Sequence, residues 1–337
     1  MTDYHVDVTS GDNGDTGLTE ALAWQTLEYA MATAGTGGHK IWVKGSAPYV
    51  VQDGANDCVL YVDGAGTATA PTVWEGYTST KGDGGVVTID ANTNTLASAV
   101  HVDIAGPAYH VFKYFRFAGG SGVGFDAATA EQVTCKWCRF DNNDGHGAHL
   151  DNYGVLYGCL ADSNGDAGLY NYLYGITAFC IAHSNTNTGI SVNRGVISHC
   201  LSYENGGSTD AQIYCSGNLY GTGFIVQSTA VGTDTIGQRG CDIGSAGTTA
   251  LLVNNIMMDC YYGAYAGSDN DELVVADGNL YYSNTTDREN VIAGDNDVSG
   301  SSDPFTNSAG NDYTLKSGSE AIDAGIDISN VLTFWGL

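Results

Sequence analysis

Cys138, Cys159, Cys180 and Cys200 stand 21, 21 and 20 residues apart, and each is followed five positions later by an asparagine: Asn143, Asn164, Asn185 and Asn205. Gly147, Gly168 and Gly189 lie 21 apart, while Gly154, Gly175 and Gly195 each precede a cysteine by five. A fixed period of about 20 to 50 residues marks a stacked repeat, so markers held in phase over four periods make each period one coil of a solenoid.

The interior of each period shows which solenoid. Short alternating runs follow one another, such as Ala148-His149-Leu150, Val155-Leu156-Tyr157 and Cys159-Leu160-Ala161. Runs this short with period 2 fit strands and are too brief for helices. Three strands and three turns per period describe a triangular parallel β-coil. Asparagine at the same corner of successive coils can take the left-handed conformation of a tight turn and bond its amide to the next asparagine, about 4.8 Å along the stack. The glycines mark the other corners.

This pattern resembles the right-handed parallel β-helix proteins of the pectate-lyase-like superfamily, whose repeats carry the same inward Cys or Asn stack and corner Asn ladder. Weaker rungs extend the match: Phe115-Arg116-Phe117-Ala118-Gly119-Gly120 aligns with Cys138-Arg139-Phe140-Asp141-Asn142-Asn143, and Asn279 to Asn284 repeats it. Tyr4 to Val8 reads as a first strand, Leu18 to Ala34 as an amphipathic capping helix, and Lys40 to Gly45 as the strand entering the first coil. The expected fold is an all-β, right-handed parallel β-helix with coils of about 21 residues. Its expected layout is one domain: a cap over 1–50, coils over 51–300 and a closing segment over 301–337. The superfamily includes lyases, hydrolases, epimerases, adhesins and virus tailspikes, so the resemblance leaves function to the sites.

Lys+Arg of 11 against Asp+Glu of 38 gives a formal net charge of −27, which repels nucleic acid and anionic membrane surfaces. No run approaches 18 apolar residues, so no membrane insertion is expected. The nine cysteines include Cys135-x-x-Cys138, yet no second pair or histidine cluster completes a zinc spacing. Their periodicity predicts an inward stack of reduced thiols, and Met1 to His5 carries neither the basic start nor the apolar core of a signal peptide. Both point to synthesis in a reducing cytoplasm.

Candidate chemistry is sparse. Gly145-His146-Gly147 lacks the successive carboxylates and the Arg-x-Lys of a polygalacturonase-like hydrolase. A lyase needs a base and a cation to neutralise the uronate carboxylate. The residues best placed for catalysis are Asp144, His146, Asp166 and Arg194, which could converge across neighbouring coils. Asp12 with Asp15 and Asp295 with Asp297 are candidate calcium loops, although ordinary Asn/Asp turns explain both. No other cofactor is indicated.

Register gives two outward surfaces. With Cys159 and Ala161 inward, Leu160, Ile181 and Leu201 form an outward aliphatic row, to be covered by loops around 216–250 or 262–278 or by a neighbouring subunit. On the third strand His149, Tyr170, Ser191 and Gln212 form one outward row and Asp151, Tyr172, Asn193 and Tyr214 the next, a face suited to sugar rings. His149, Tyr170, Tyr172 and Tyr214 are its candidate ligand residues. The incomplete catalytic set favours a structural or receptor-binding virion protein: a phage capsid decoration, fibre or tailspike component made in the host cytoplasm. It would assemble with other virion proteins or as a homo-oligomer, for example a trimer. The alternative is an extracellular polysaccharide lyase or glycoside hydrolase acting on an acidic polysaccharide.

Overall fold

The computed structural model describes residues 1–50, 56–92, 95–216, 222–244, 249–267 and 274–327. Among the described residues the chain winds around three parallel sheets, A with 12 strands and B and C with ten each. A central coil runs Val155–Tyr157 in A, Leu160–Asp162 in B and Leu169–Leu173 in C, and then re-enters A at Ile176–Ala178. Successive coils pair in register, as Val155 with Ile176 and Leu160 with Ile181. This is the right-handed parallel β-helix expected from the repeat.

The coil averages about 24 residues, longer than the predicted 21. The central coils keep 21, but the step from Cys200 to Ser228 at one corner takes 28 and that from Ser228 to Asn255 takes 27, because insertions leave the prism between strands. The corners of the central coils each turn on a left-handed residue: Trp137 (φ 53°), Asn142 (56°) and Tyr153 (58°) in one coil. The turning residue at the B–C corner is therefore Asn142, Ser163 or Ser184, one before the asparagine assigned that role from sequence. Asn143, Asn164, Asn185 and Asn205 instead point inward. Their amides donate to the next amide oxygen at 2.9, 2.8 and 2.8 Å.

Cys138, Cys159, Cys180 and Cys200 line the inner A–B corner, and all nine cysteines are buried free thiols. Burial pushes the thiols of Cys215 and Cys260 up to about 12. Past Cys200 the same corner column continues as Ser228, Asn255 and Asn279, a second amide ladder. Asp297 ends it: Oδ1 accepts from the Asn279 backbone and side-chain amides, both at 3.0 Å, and Oδ2 accepts from Arg288 at 3.0 Å. That carboxylate is consumed within the fold, which argues against its use for calcium. Asp12 Oδ1 likewise caps the Gly14 amide at 2.8 Å, Asp15 lies in the same turn, and Asp295 is exposed. No group of three His, Cys, Asp or Glu side chains that could hold a metal converges among the described residues.

The N-terminal helix is shorter than predicted. Trp24 bridges to the first strand, with Asp7 N–H donating to its carbonyl at 2.8 Å and its indole stacked on Tyr4 at 4.8 Å. This extended stretch separates a 3-10 turn, Glu20–Leu22, from α1, Leu27–Ala34, which Thr26 caps. At the other end an antiparallel hairpin, Phe305–Asn307 with Asp312–Leu315, lies on sheet B. Phe305 packs with Val231 and Met258, and Tyr313 with Tyr203. The closing segment thus covers the far end of this sheet B face, while of the two loops 217–221, 245–248 and 268–273 lie outside the described residues. The cover reaches the row at Thr229, Ile256 and Leu280. Leu160 and Leu201 stay half-buried and Ile181 is 39% exposed.

Candidate functional site

Lysine placement singles out sheet A. Five of the six lysines of this acidic chain, Lys40, Lys44, Lys81, Lys113 and Lys136, fall before residue 137, and all but Lys81 lie on sheet A strands. Register aligns Trp42, Glu75, Lys113, Lys136 and Tyr157 in one outward column. Glu75 is bracketed by Lys40 at 3.1 Å and Lys113 at 3.3 Å. Lys136 lies 6.0 Å from the centre of the Tyr157 ring and joins no ion pair among the described residues. Beside the column Tyr114 stacks on Trp137 at 5.1 Å, and Trp137 is 43% exposed.

Outward side chains two apart on a strand share a face, so Val111, Thr134 and Val155 lie next to these lysines. They floor a groove of about 380 Å³, walled by Tyr109, Gln132 and Tyr153 at the C–A corner and by Ala68 and Pro71 of the preceding loop. Tyr153 stacks on Tyr174 at 5.3 Å and continues the wall. The groove thus offers aromatic edges, an apolar floor and two adjacent cations. The sequence held one sign of it: the dipeptides Lys113-Tyr114 and Lys136-Trp137 occupy equivalent positions in successive coils.

A second hollow, of about 240 Å³, opens on sheet C where its strands begin. His146, Asp166, Tyr170 and Tyr214 line it, and His149 packs edge-on against Tyr170 at 4.7 Å. His146 stacks on Tyr170 at 5.1 Å, accepts the Ala167 amide at Nδ1 and lies 3.5 Å from Asp166. Burial holds His146 and His149 below the usual histidine range, with Asp166 and Asp126 pulling the other way for His146. Asp166 is fixed by Asn187 Nδ2 at 2.7 Å.

The hollow draws on two groups that the sequence kept apart, His146 with Asp166, and Tyr170 and Ser191 with Tyr214, and leaves other expected members elsewhere. Ser191 pairs with Tyr214, so Tyr214 continues the His149, Tyr170, Ser191 row. Gln212, assigned to that place, is buried and bonded to Asn205, because the insertion before it shifts the register. Tyr172 falls in a bulge between Asn171 and Leu173. Asp144 lines a neighbouring hollow with Ser163 and Ser184. Arg194 follows its strand whereas His146 and Asp166 precede theirs, so it sits at the C–A corner, separated from the hollow by a strand of about 13 Å.

No family model matches the chain, and no curated protein matches its sequence. Solved structures do. Pectate lyase Pel9A superposes with a TM-score of 0.67 at 16% identity, covering 95% of this chain and 88% of that one. A rhamnogalacturonan lyase superposes with a TM-score of 0.58 at 13% identity, covering 100% and 99%. The fold is the pectate-lyase-like right-handed β-helix. At these identities the likeness speaks for this β-helix fold alone, and both neighbours named are carbohydrate-active enzymes.

Proposed function

We propose that this chain binds an anionic polysaccharide along the sheet A groove and cleaves it by β-elimination. The observation that carries the reading is the pairing of Lys113 with Lys136 beside a groove walled by tyrosines, on a protein that elsewhere repels anions. A polyanion meeting a surface of charge −27 is slowed unless one face gathers the opposite sign. Coils repeat every 4.8 Å or so, close to the length of one sugar ring, so successive residues of a glycan can meet equivalent side chains.

The chemistry asks for a base and a neutralising charge. Lys113 supplies the charge to the uronate carboxylate. The Lys136 amine takes the proton beside that carboxylate, the electron pair forms the ring double bond, and the glycosidic C–O bond breaks. Its oxygen gains a proton from water. That a pectate lyase and a rhamnogalacturonan lyase share this fold supports the reading, and neither is a virion protein. The virion reading rested on a missing catalytic set, and the lysine pair supplies a base and a charge that it lacked. An extracellular setting suits the proposed substrate.

The test is turnover of polygalacturonate and alginate, with and without calcium, followed by ultraviolet absorbance of unsaturated ends. Lys136→Ala should abolish it, Lys113→Ala should weaken binding, and His146→Ala should change neither. Absence of unsaturated product, together with polyanion binding indifferent to the Lys113→Ala/Lys136→Ala double variant, would overturn the reading.

A further inference from the structure

The sheet C hollow is chemically opposite to the sheet A groove. Its lining carries two carboxylates, Asp166 and Asp210, and no lysine or arginine. Asp126 lies close enough to bias both histidines. Burial lowers the His146 pKa, which disfavours its charged form. Both carboxylates are held in place: Asp166 by Asn187 at 2.7 Å, and Asp210 by the Gly207 amide at 2.8 Å. The walls are aromatic. Tyr170 is backed by the stacked His146 ring at 5.1 Å, and Tyr214 lines the next part of the hollow, beyond Ser191.

Fixed carboxylates beside aromatic walls are the combination that recognises an ammonium group, by charge-assisted hydrogen bonds and by attraction to the ring. The same lining rejects a uronate, whose carboxylate would meet Asp166 and Asp210 with no cation between them. The hollow spans four successive coils, contributing His146, Asp166 with Tyr170, Ser191, and Asp210 with Tyr214 in turn. That extent fits a short run of sugar rings and exceeds what a single small amine needs. We infer that this hollow is a second binding site, separate from the sheet A groove, for a glycan bearing free amino groups, with separate ammonium groups on Asp166 and Asp210 and its rings against Tyr170 and Tyr214.

The test is calorimetric titration of the intact chain with glucosamine oligomers, with their fully N-acetylated counterparts, and with spermidine. The amino form should bind at least tenfold tighter than the acetylated form, which keeps the rings and loses the charge. Asp166→Asn and Tyr170→Ala should each weaken it about tenfold. Asp312→Asn, an exposed carboxylate on the terminal hairpin, and Lys136→Ala should leave it unchanged. Equal binding of acetylated oligomers, equal binding of spermidine, or an equal loss with Asp312→Asn would overturn the inference. The last would show attraction to net charge in place of a site. Because Lys136→Ala is carried through the same titration, failure of the sheet A reading and failure of this one appear in different variants.

Discussion

Replacing Asn185 by Ala should strip one rung from the buried B–C ladder, and its cost can be worked from the bonds it makes. Asn185 Oδ1 accepts from the Asn164 backbone amide at 3.1 Å and from Asn164 Nδ2 at 2.8 Å. Its Nδ2 donates to Asn205 Oδ1 at 2.8 Å and to the Ala161 carbonyl at 3.1 Å. After truncation Asn164 Nδ2 keeps the Phe140 carbonyl and Asn205 Oδ1 keeps the Asn185 amide. The Asn164 backbone N–H loses its acceptor inside a corner that is 1% exposed. A stranded buried donor costs about 1–3 kcal/mol and each of the other three lost bonds about 0.5–1.5, for a total near 5 kcal/mol. Against a usual stability of about 5–15 kcal/mol this is severe. Urea unfolding should show a lower midpoint at an unchanged slope. Because solenoids can open coil by coil, hydrogen exchange at the Asn164 amide should accelerate most. Asn187→Ala, two residues on and exposed, is the control and should cost under about 0.5 kcal/mol. A loss at Asn185 below about 1 kcal/mol, or unchanged exchange at Asn164, would mean that water replaces the rung and that the ladder does not hold the coils.

His110 is buried between Trp74 Nε1 at 3.2 Å and the Gly64 carbonyl at 2.6 Å, and burial, only partly offset by that carbonyl, lowers its pKa to about 4. The unfolded chain binds the proton first, so stability should be full above pH ~6.5 and fall by about 3 kcal/mol on descending to pH ~4, a loss that His110→Gln should remove. All nine thiols are buried, so a thiol reagent should react with almost none in the native protein and with nine per chain in denaturant. Ile181→Asp should leave the melting temperature of the isolated chain nearly unchanged, since the side chain is 39% exposed; a large drop or a change of mass in solution would reveal a partner on that row.

The repeat was legible because a solenoid stacks equivalent positions, so whatever one coil needs at a corner, the next needs as well. Cys138, Cys159, Cys180 and Cys200, with their asparagines, fixed the coil, the three-strand cross-section and the inward side of sheet B. The same logic gave the outward row of Leu160, Ile181 and Leu201, and singled out several residues that line the His146 hollow. Legibility ended where the period broke. The insertion between Cys200 and Ser228 moved Tyr214 beside Ser191 and buried Gln212. Change of residue type hid the second ladder, since Asn255, Asn279 and Asp297 do at the A–B corner what cysteines do earlier. Trp24 cut the N-terminal helix for a reason no helical pattern contains, its pairing with a strand 18 residues away. The sheet A groove depends on where a loop and two corners close around a face, and the cover on sheet B on where the last hairpin lands. Local sequence determines which way a strand residue points, because pleating is local; which face becomes a groove and which is covered is decided by contacts between segments far apart in the chain.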